Sequence, residues 1–174
     1  QLKVQRTYNS RSQFDGLFGY GWGSDYEAFL IPSADGSVVI QESGAGDKTR
    51  FSPQEFSKAE LQKQVDRLVD AYVKKHPGER ISDLKEKLLN NANERDEKSR
   101  ELGIFPQLPE GTKLFSTQRG DKQTLVVHKL GYLREFADGR REIFNKKVDV
   151  ADQGVDPAKR RVLRGVFKVA QASD

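Results

Sequence analysis

The chain has 174 residues, 32% of which are charged, and its formal net charge at pH 7 is +4. This length suits one domain, with or without an insertion, and no stretch approaches the roughly 20 apolar residues that a membrane-spanning helix requires. The absence of cysteine excludes disulfides, thiolate zinc sites and cysteine nucleophiles. Because basic and acidic residues are interspersed, we expect no nucleic-acid partner.

The first predicted feature is a segment at residues 6–26 that mixes aromatic residues with glycines. Glycine gives the backbone freedom to turn, and the rings provide area to bury, so the segment predicts a compact β-turn platform and not a helix. We expect its rings to be buried. In the alternative interpretation, exposed Tyr20 and Trp22 stack on a sugar ring or on a partner's side chain. The candidate packing or interaction residues here are Tyr8, Phe18, Tyr20, Trp22 and Tyr26.

Alternating apolar residues predict strands around this segment, at Leu2–Tyr8, Tyr26–Ile31 and Ser37–Gln41. Asp35-Gly36 is a strong hairpin signal between the last two. A further short strand ends at Phe51.

The pattern then becomes helical. Ser52-Pro53-Gln54-Glu55 has the form of a capping box with proline at the first helical position. The helix should end near His76-Pro77-Gly78. Ser82-Asp83 can cap a second helix that Gly103 terminates. The candidate packing or interaction residues of the first helix are Leu61, Val65, Leu68 and Tyr72, which can face the sheet, the second helix or a partner.

Strands resume after a connector that is rich in proline and glycine. They are predicted at Lys113–Thr117, Thr124–Leu130, Tyr132–Phe136, Arg141–Asn145 and Val162–Val169. Asp149–Pro157 is typical of a loop, and the last strand has no visible partner. The fold class is therefore α+β, an antiparallel β-sheet with an inserted α-helical hairpin. We expect a β domain formed by residues 1–52 and 103–174, with the hairpin at 53–102.

Residues 6–26 resemble the N-terminal segment of RHS (YD-repeat) proteins, which runs approximately R-x-Y-N-S-R-S…G-x-F-G-x-G-W…Y. The pattern is matched by Arg6, Tyr8, Asn9, Ser10, Arg11, Ser12, Gly16, Phe18, Gly19, Gly21, Trp22 and Tyr26. Residues 131–140 are similar to a degenerate YD repeat, and Tyr26…Asp35-Gly36 echoes it. The resemblance implies RHS/YD-like hairpins in a piece of a large hollow β-shell that encloses a toxin. Shell strands and turns, not a helical hairpin, are expected at residues 53–102, so the insert departs from that pattern.

Signals for catalysis or cofactor binding are weak. The two histidines lack zinc spacing, no calcium loop is present, and Gly19–Gly23 lacks the lysine and hydroxyl of a phosphate loop. We therefore expect no cofactor and no metal. Asp25 and Glu27 share one face of a predicted strand and could act as an acid–base pair in a hydrolase, although two solvated edge residues would give the same pattern.

The resemblance favours a non-enzymatic structural or encapsulating module of a bacterial RHS protein that is secreted, periplasmic or on the cell surface. Its expected partner is a protein, either the remainder of the shell or a secretion or envelope component. The module would present strands for edge pairing, and the aromatic–glycine segment would pack as a plug. The alternative is a stand-alone envelope module that binds a protein or a glycan through the helical insert or the aromatic–glycine segment.

Overall fold

The computed structural model describes residues 5–11, 15–16, 18–24, 28–42, 48–78, 81–151 and 162–171. Short strands come first: β1 (Arg6–Tyr8), β2 (Asp15–Gly16), β3 (Gly19–Tyr20) and β4 (Trp22–Ser24). They are followed by β5 (Phe29–Pro32), β6 (Val38–Gln41), β7 (Lys48–Pro53) and the helices α1 (Lys58–Lys75), α2 (Leu84–Asn90) and α3 (Ala92–Leu102). The last strands are β8 (Lys113–Ser116), β9 (Thr124–His128), β10 (Gly131–Glu135), β11 (Arg141–Ala151) and β12 (Val162–Gln171).

Strands β5 to β12 form a closed antiparallel barrel in simple chain order. Each strand pairs with the next along the chain, and β12 returns to β5 with Phe167 opposite Leu30 and Lys168 opposite Phe29. The predicted α+β class is confirmed. The final strand, which had no visible partner in the sequence, lies between β11 and β5.

The barrel interior is packed with side chains. Its fully buried apolar residues come from six of the strands: Leu30, Val38, Ile40, Phe51, Leu114, Leu125 and Phe144. An eight-stranded barrel has an interior just wide enough for side chains to fill. This core therefore excludes the aromatic–glycine segment, which forms two small sheets of its own, β1 with β4 and β2 with β3.

The strand predictions agree with the structure to within a few residues where the chain is described. The clearest difference is β11, which continues to Ala151, although 149–151 was expected to be loop. The extension pairs with β12, with Val150 opposite Leu163 and Ala151 opposite Val162. The predicted strand at Leu2–Tyr8 is described only from Arg6 onward.

The predicted start of the first helix is wrong. Ser52 and Pro53 belong to β7, where Ser52 pairs with Phe115 of β8. The helix begins at Lys58, and Ser57 and Glu60 form the capping box: the Glu60 amide donates to the Ser57 Oγ over 3.2 Å, and the Ser57 amide donates to the Glu60 Oε2 over 2.8 Å. Both serines fit the capping sequence pattern, and sheet pairing decides between them.

The predicted second helix is interrupted, so the insert contains three helices and not a two-helix hairpin. Asn91 adopts an extended backbone, and its Oδ1 accepts hydrogen bonds from the amides of Asn93 and Glu94. The Arg95 guanidinium donates to the carbonyl oxygens of Leu88 and Leu89, which satisfies acceptors at the end of α2. The predicted end at Gly103 is confirmed by its left-handed backbone, with φ of 69°.

The helices are anchored to the β5–β6 hairpin. The Ala34 amide donates to the Asp96 Oδ1 of α3 over 2.7 Å. At Gly36, φ is 76° and a Cβ would stand 3.1 Å from the Phe56 ring, so glycine allows both the turn and the close contact. Within the described chain, none of these helices is long and apolar enough to cross a membrane.

Candidate functional site

The segment before the barrel contains a small two-stranded ribbon. Arg6 lies opposite Ser24 and Tyr8 opposite Trp22, and the Asn9 amide continues the ladder by donating to the Gly21 carbonyl over 2.8 Å. Gly21 has φ of 76°, and a Cβ there would stand 2.9 Å from the Tyr8 ring. Glycine at this position therefore lets the ring lie directly against the backbone.

Four side chains of the segment meet on one face of this ribbon, and we call Arg6, Tyr8, Phe18 and Trp22 the aromatic cluster. The Arg6 guanidinium carbon lies 5.5 Å from the centre of the Phe18 ring and 5.4 Å from that of Trp22. The Tyr8 and Trp22 rings are 5.1 Å apart and tilted by 43°. A guanidinium over an exposed ring contributes about 0.5–1 kcal/mol. Arg6 thus contacts two rings that both come from the later part of the segment.

The aromatic cluster is more exposed than the sequence predicted. The exposed fraction is 57% for Tyr8 and 37% for Phe18, and Trp22 is half-buried. The expectation that these rings are buried is therefore wrong for Tyr8 and Phe18. The physical reason is space, because the aliphatic and phenylalanine side chains of β5–β11 already fill the barrel.

Tyr26, Asp25 and Glu27 lie outside the described residues, and only the backbone of Tyr20 is described. The structure therefore brings together three predicted residues, Tyr8, Phe18 and Trp22. Arg6 is a further member that was not among the candidates predicted from the sequence. The signal for Arg6 was its alternation with Tyr8, which places both side chains on one strand face.

The candidates on α1 face the neighbouring helices. Val65 and Leu68 are fully buried against Leu88 of α2, whereas Leu61 and Tyr72 are half-buried. The Tyr72 ring stacks on His76 at 4.4 Å. Of the three surfaces that the sequence left open for this stripe, the neighbouring helix is the one it contacts. Burying each aliphatic side chain contributes roughly 1.5–3 kcal/mol, so this part of α1 is structural.

A charge cluster that was not predicted from the sequence lies at the end of the barrel that the chain enters. Arg134 of β10 points inward and is only 3% exposed. Its Nη1 and Nη2 donate to the two carboxylate oxygens of Glu42 over 2.8 and 2.7 Å. The Nη1 also donates to Glu142 over 3.2 Å, and the Nε donates to the Gln123 side chain over 2.7 Å. Thr49 donates to Glu42 as well, over 2.7 Å. These five residues, Glu42, Thr49, Gln123, Arg134 and Glu142, are the Arg134 cluster.

The electrostatics of the Arg134 cluster are dominated by burial. Burial raises the pKa of Glu142 above its ordinary value of 4.5, and it outweighs the attraction of Arg134; the Glu42 carboxylate raises this pKa further. The Arg134 guanidinium also lies 4.5 Å from the centre of the Phe136 ring. Each guanidinium nitrogen has an acceptor, so the cluster satisfies its own hydrogen bonds.

The other polar side chains that the structure describes give weak signals for metal binding or catalysis. Among the residues described, no group of three histidine or carboxylate side chains could hold a metal ion. His76 caps α1, and the His128 Nδ1 accepts from the Leu130 amide over 3.3 Å. A shallow groove of about 220 Å³ lies between α1 and the connector at Pro106–Leu108.

Part of the chain is similar to a known family. Residues 1–50 match a family described as a domain of unknown function (DUF6531). The match covers less than a third of the chain and includes the whole aromatic cluster. No curated protein and no solved structure matches the chain.

Proposed function

We propose that this chain is a non-enzymatic structural module of an RHS/YD-repeat protein that is secreted, periplasmic or on the bacterial surface. In this proposal the barrel is a rigid block, and the aromatic cluster is the docking surface for the remainder of the shell or for an envelope partner. The observation that carries the proposal is the contrast between the two parts. The barrel is closed and its core is filled, whereas aromatic side chains outside it remain exposed.

The closed barrel modifies the expected structural role. A shell wall grows when unpaired strand edges accept further strands. All eight barrel strands already have a paired neighbour on both sides. In the proposed role, therefore, the barrel caps or fills a shell and does not extend its wall.

The proposed absence of enzymatic activity is supported by the Arg134 cluster. Catalytic groups usually have charges or lone pairs directed at a substrate site. Here the charged groups within the barrel bond to one another, and Glu42 receives three hydrogen bonds from Arg134 and Thr49. This arrangement favours a role in stability.

The first test is the mass and cell fraction of the native gene product, detected with an antibody raised against this chain. A secreted or surface band several times larger than 19.7 kDa is expected. A cytoplasmic product, or an envelope product near 19.7 kDa, would overturn the shell proposal.

A second test asks whether the aromatic cluster is the docking surface. The double substitution Tyr8→Ala and Phe18→Ala in the full-length gene product should reduce the secreted or surface-bound amount and increase protease sensitivity. Leu130→Ala is the matched control, since Leu130 is 60% exposed at the β9–β10 hairpin and is not a member of the cluster. Equal effects of the two changes would contradict the assignment.

A second candidate function is a stand-alone envelope module that binds a protein or a glycan. The closure of the barrel favours it, because a closed sheet needs no partner strand to be stable. The immunoblot separates the two candidates, since this one requires an envelope band near 19.7 kDa.

A further inference from the structure

Strand β1 is unusual in being exposed on both faces. Arg6, Thr7 and Tyr8 are all exposed, although they form regular backbone pairs with β4. Among the described residues, β4 is the one strand that pairs with β1, so its other edge is available. Two-stranded ribbons are marginally stable by themselves, and an available edge is a template for another strand.

The register shows which backbone groups lie along this edge. In an antiparallel pair, residues alternate between those that exchange hydrogen bonds with the partner and those that direct theirs away. The Asn9 amide bonds to Gly21 of β4, so Thr7, two residues earlier, also directs its groups toward β4. The amides and carbonyls of Arg6 and Tyr8 therefore point outward.

The sequence of the edge is self-complementary. If a second β1 lies antiparallel with Thr7 on the symmetry axis, Arg6 of each chain stands directly opposite Tyr8 of the other. These are the two residues with outward backbone groups, so each such pair exchanges hydrogen bonds in both directions. The pairing also places a cation beside an exposed ring on both sides of the axis.

We propose that β1 pairs with β1 of a second copy of this chain, forming a twofold-symmetric, four-stranded sheet in the order β4-β1-β1-β4. The surface is isologous, so the assembly closes at two chains. This inference goes beyond the proposed function, and it concerns the chain by itself.

The test exchanges the arginine and the tyrosine at positions 6 and 8. By sedimentation equilibrium over a range of concentrations, the wild-type mass should rise toward twice 19.7 kDa. Arg6→Tyr and Tyr8→Arg should each weaken association by about tenfold or more, since each removes both cation–ring pairs. Mixing the two variants should restore association, because a chain with two tyrosines then faces a chain with two arginines.

A cysteine at the axis provides an independent measurement in a chain that has no native cysteine. Thr7→Cys should form a disulfide-linked dimer under mild oxidation much faster than the control Ser10→Cys, which is also exposed but lies past the end of β1. Circular dichroism reports whether each variant keeps its fold. A wild-type chain that stays monomeric at all concentrations, or equal cross-linking of both cysteine variants, would overturn the proposal.

Discussion

At the residue scale, Arg134 shows how one inward-facing charge can organise a barrel end. It alternates with Tyr132 in β10 and with Phe136, which directly follows the strand, and this alternation is consistent with a side chain that points into the barrel. An arginine at an inward position is the signal that could have predicted a buried charge cluster. Its partner Glu42 is 92 residues away in sequence, and nothing local identifies it.

Arg134→Met is expected to destabilise the fold by about 3 kcal/mol, because it keeps the apolar stem but leaves Glu42 and Glu142 without their cation. The matched control is Arg141→Met, whose side chain is 64% exposed and pairs with Glu135 at the surface. That change should alter the free energy of unfolding by less than about 1 kcal/mol. Urea denaturation of both variants measures the difference, and similar losses would contradict a special role for Arg134.

The raised pKa of Glu142 predicts a specific dependence of stability on pH. The folded state binds this proton more tightly than the unfolded chain, so the contribution is complete below about pH 4.5 and is lost as the pH rises through the folded pKa. Replacing the group with Glu142→Gln removes this loss. Between about pH 4 and about pH 7, the free energy of unfolding of the variant should therefore rise relative to that of the wild type.

Asp35 provides the control of opposite sign. Burial raises its pKa, but hydrogen bonds from Ser37 and the charge of Arg50 together lower it below 3.8. The advantage of the wild type over Asp35→Asn should therefore be present above that value and decrease as the pH falls. If both variants shifted in the same direction relative to the wild type, the assignment of Glu142 would be wrong.

At the element scale, helix α1 shows competition between local and long-range signals. Two serines, Ser52 and Ser57, are each followed three residues later by a glutamate. Local chemistry alone favoured Ser52, because proline follows it. The pairing of Ser52 with Phe115 keeps that stretch in the sheet, and the helix begins at the second box.

The choice of cap can be tested directly. Ser57→Ala should destabilise the protein by about 1 kcal/mol through loss of the bond to the Glu60 amide. Ser52→Ala should change stability by less than about 0.5 kcal/mol, since its side chain has no cap to lose. Thermal unfolding of the two variants decides between the two possible starts of helix α1. A larger effect of Ser52→Ala would favour the start that was predicted from the sequence.

At the scale of the whole molecule, the decisive contact is the pairing of β12 with β5. It joins the first and last strands of an otherwise sequential meander and turns a sheet with two edges into a closed barrel. Closure removes the edges that would otherwise promote aggregation. Among the described strands, the same closure leaves only the two small sheets outside the barrel with edges that could accept a further strand.

Closure can be tested by cross-linking. Introducing Phe29→Cys and Lys168→Cys places two thiols at positions that are directly opposite in the register of β5 and β12. Peptide mapping after mild oxidation should find the disulfide. The control pair, Phe29→Cys with Lys113→Cys, joins strands that are not neighbours in the barrel and should not cross-link within one chain. If the cysteines introduced at positions 29 and 168 stayed reduced, the barrel would be open between β5 and β12.

The sequence by itself determined the elements that depend on neighbours along the chain. The Asp35-Gly36 turn, the end of α3 at Gly103 and most strands were predictable, because turn chemistry and periodicity act over a few residues. Tertiary structure alone decided which serine caps α1, that Glu42 meets Arg134, and that Tyr8 remains exposed. These outcomes depend on which strands pair and on how much space remains after the core is filled, and both are set by contacts between residues far apart in sequence.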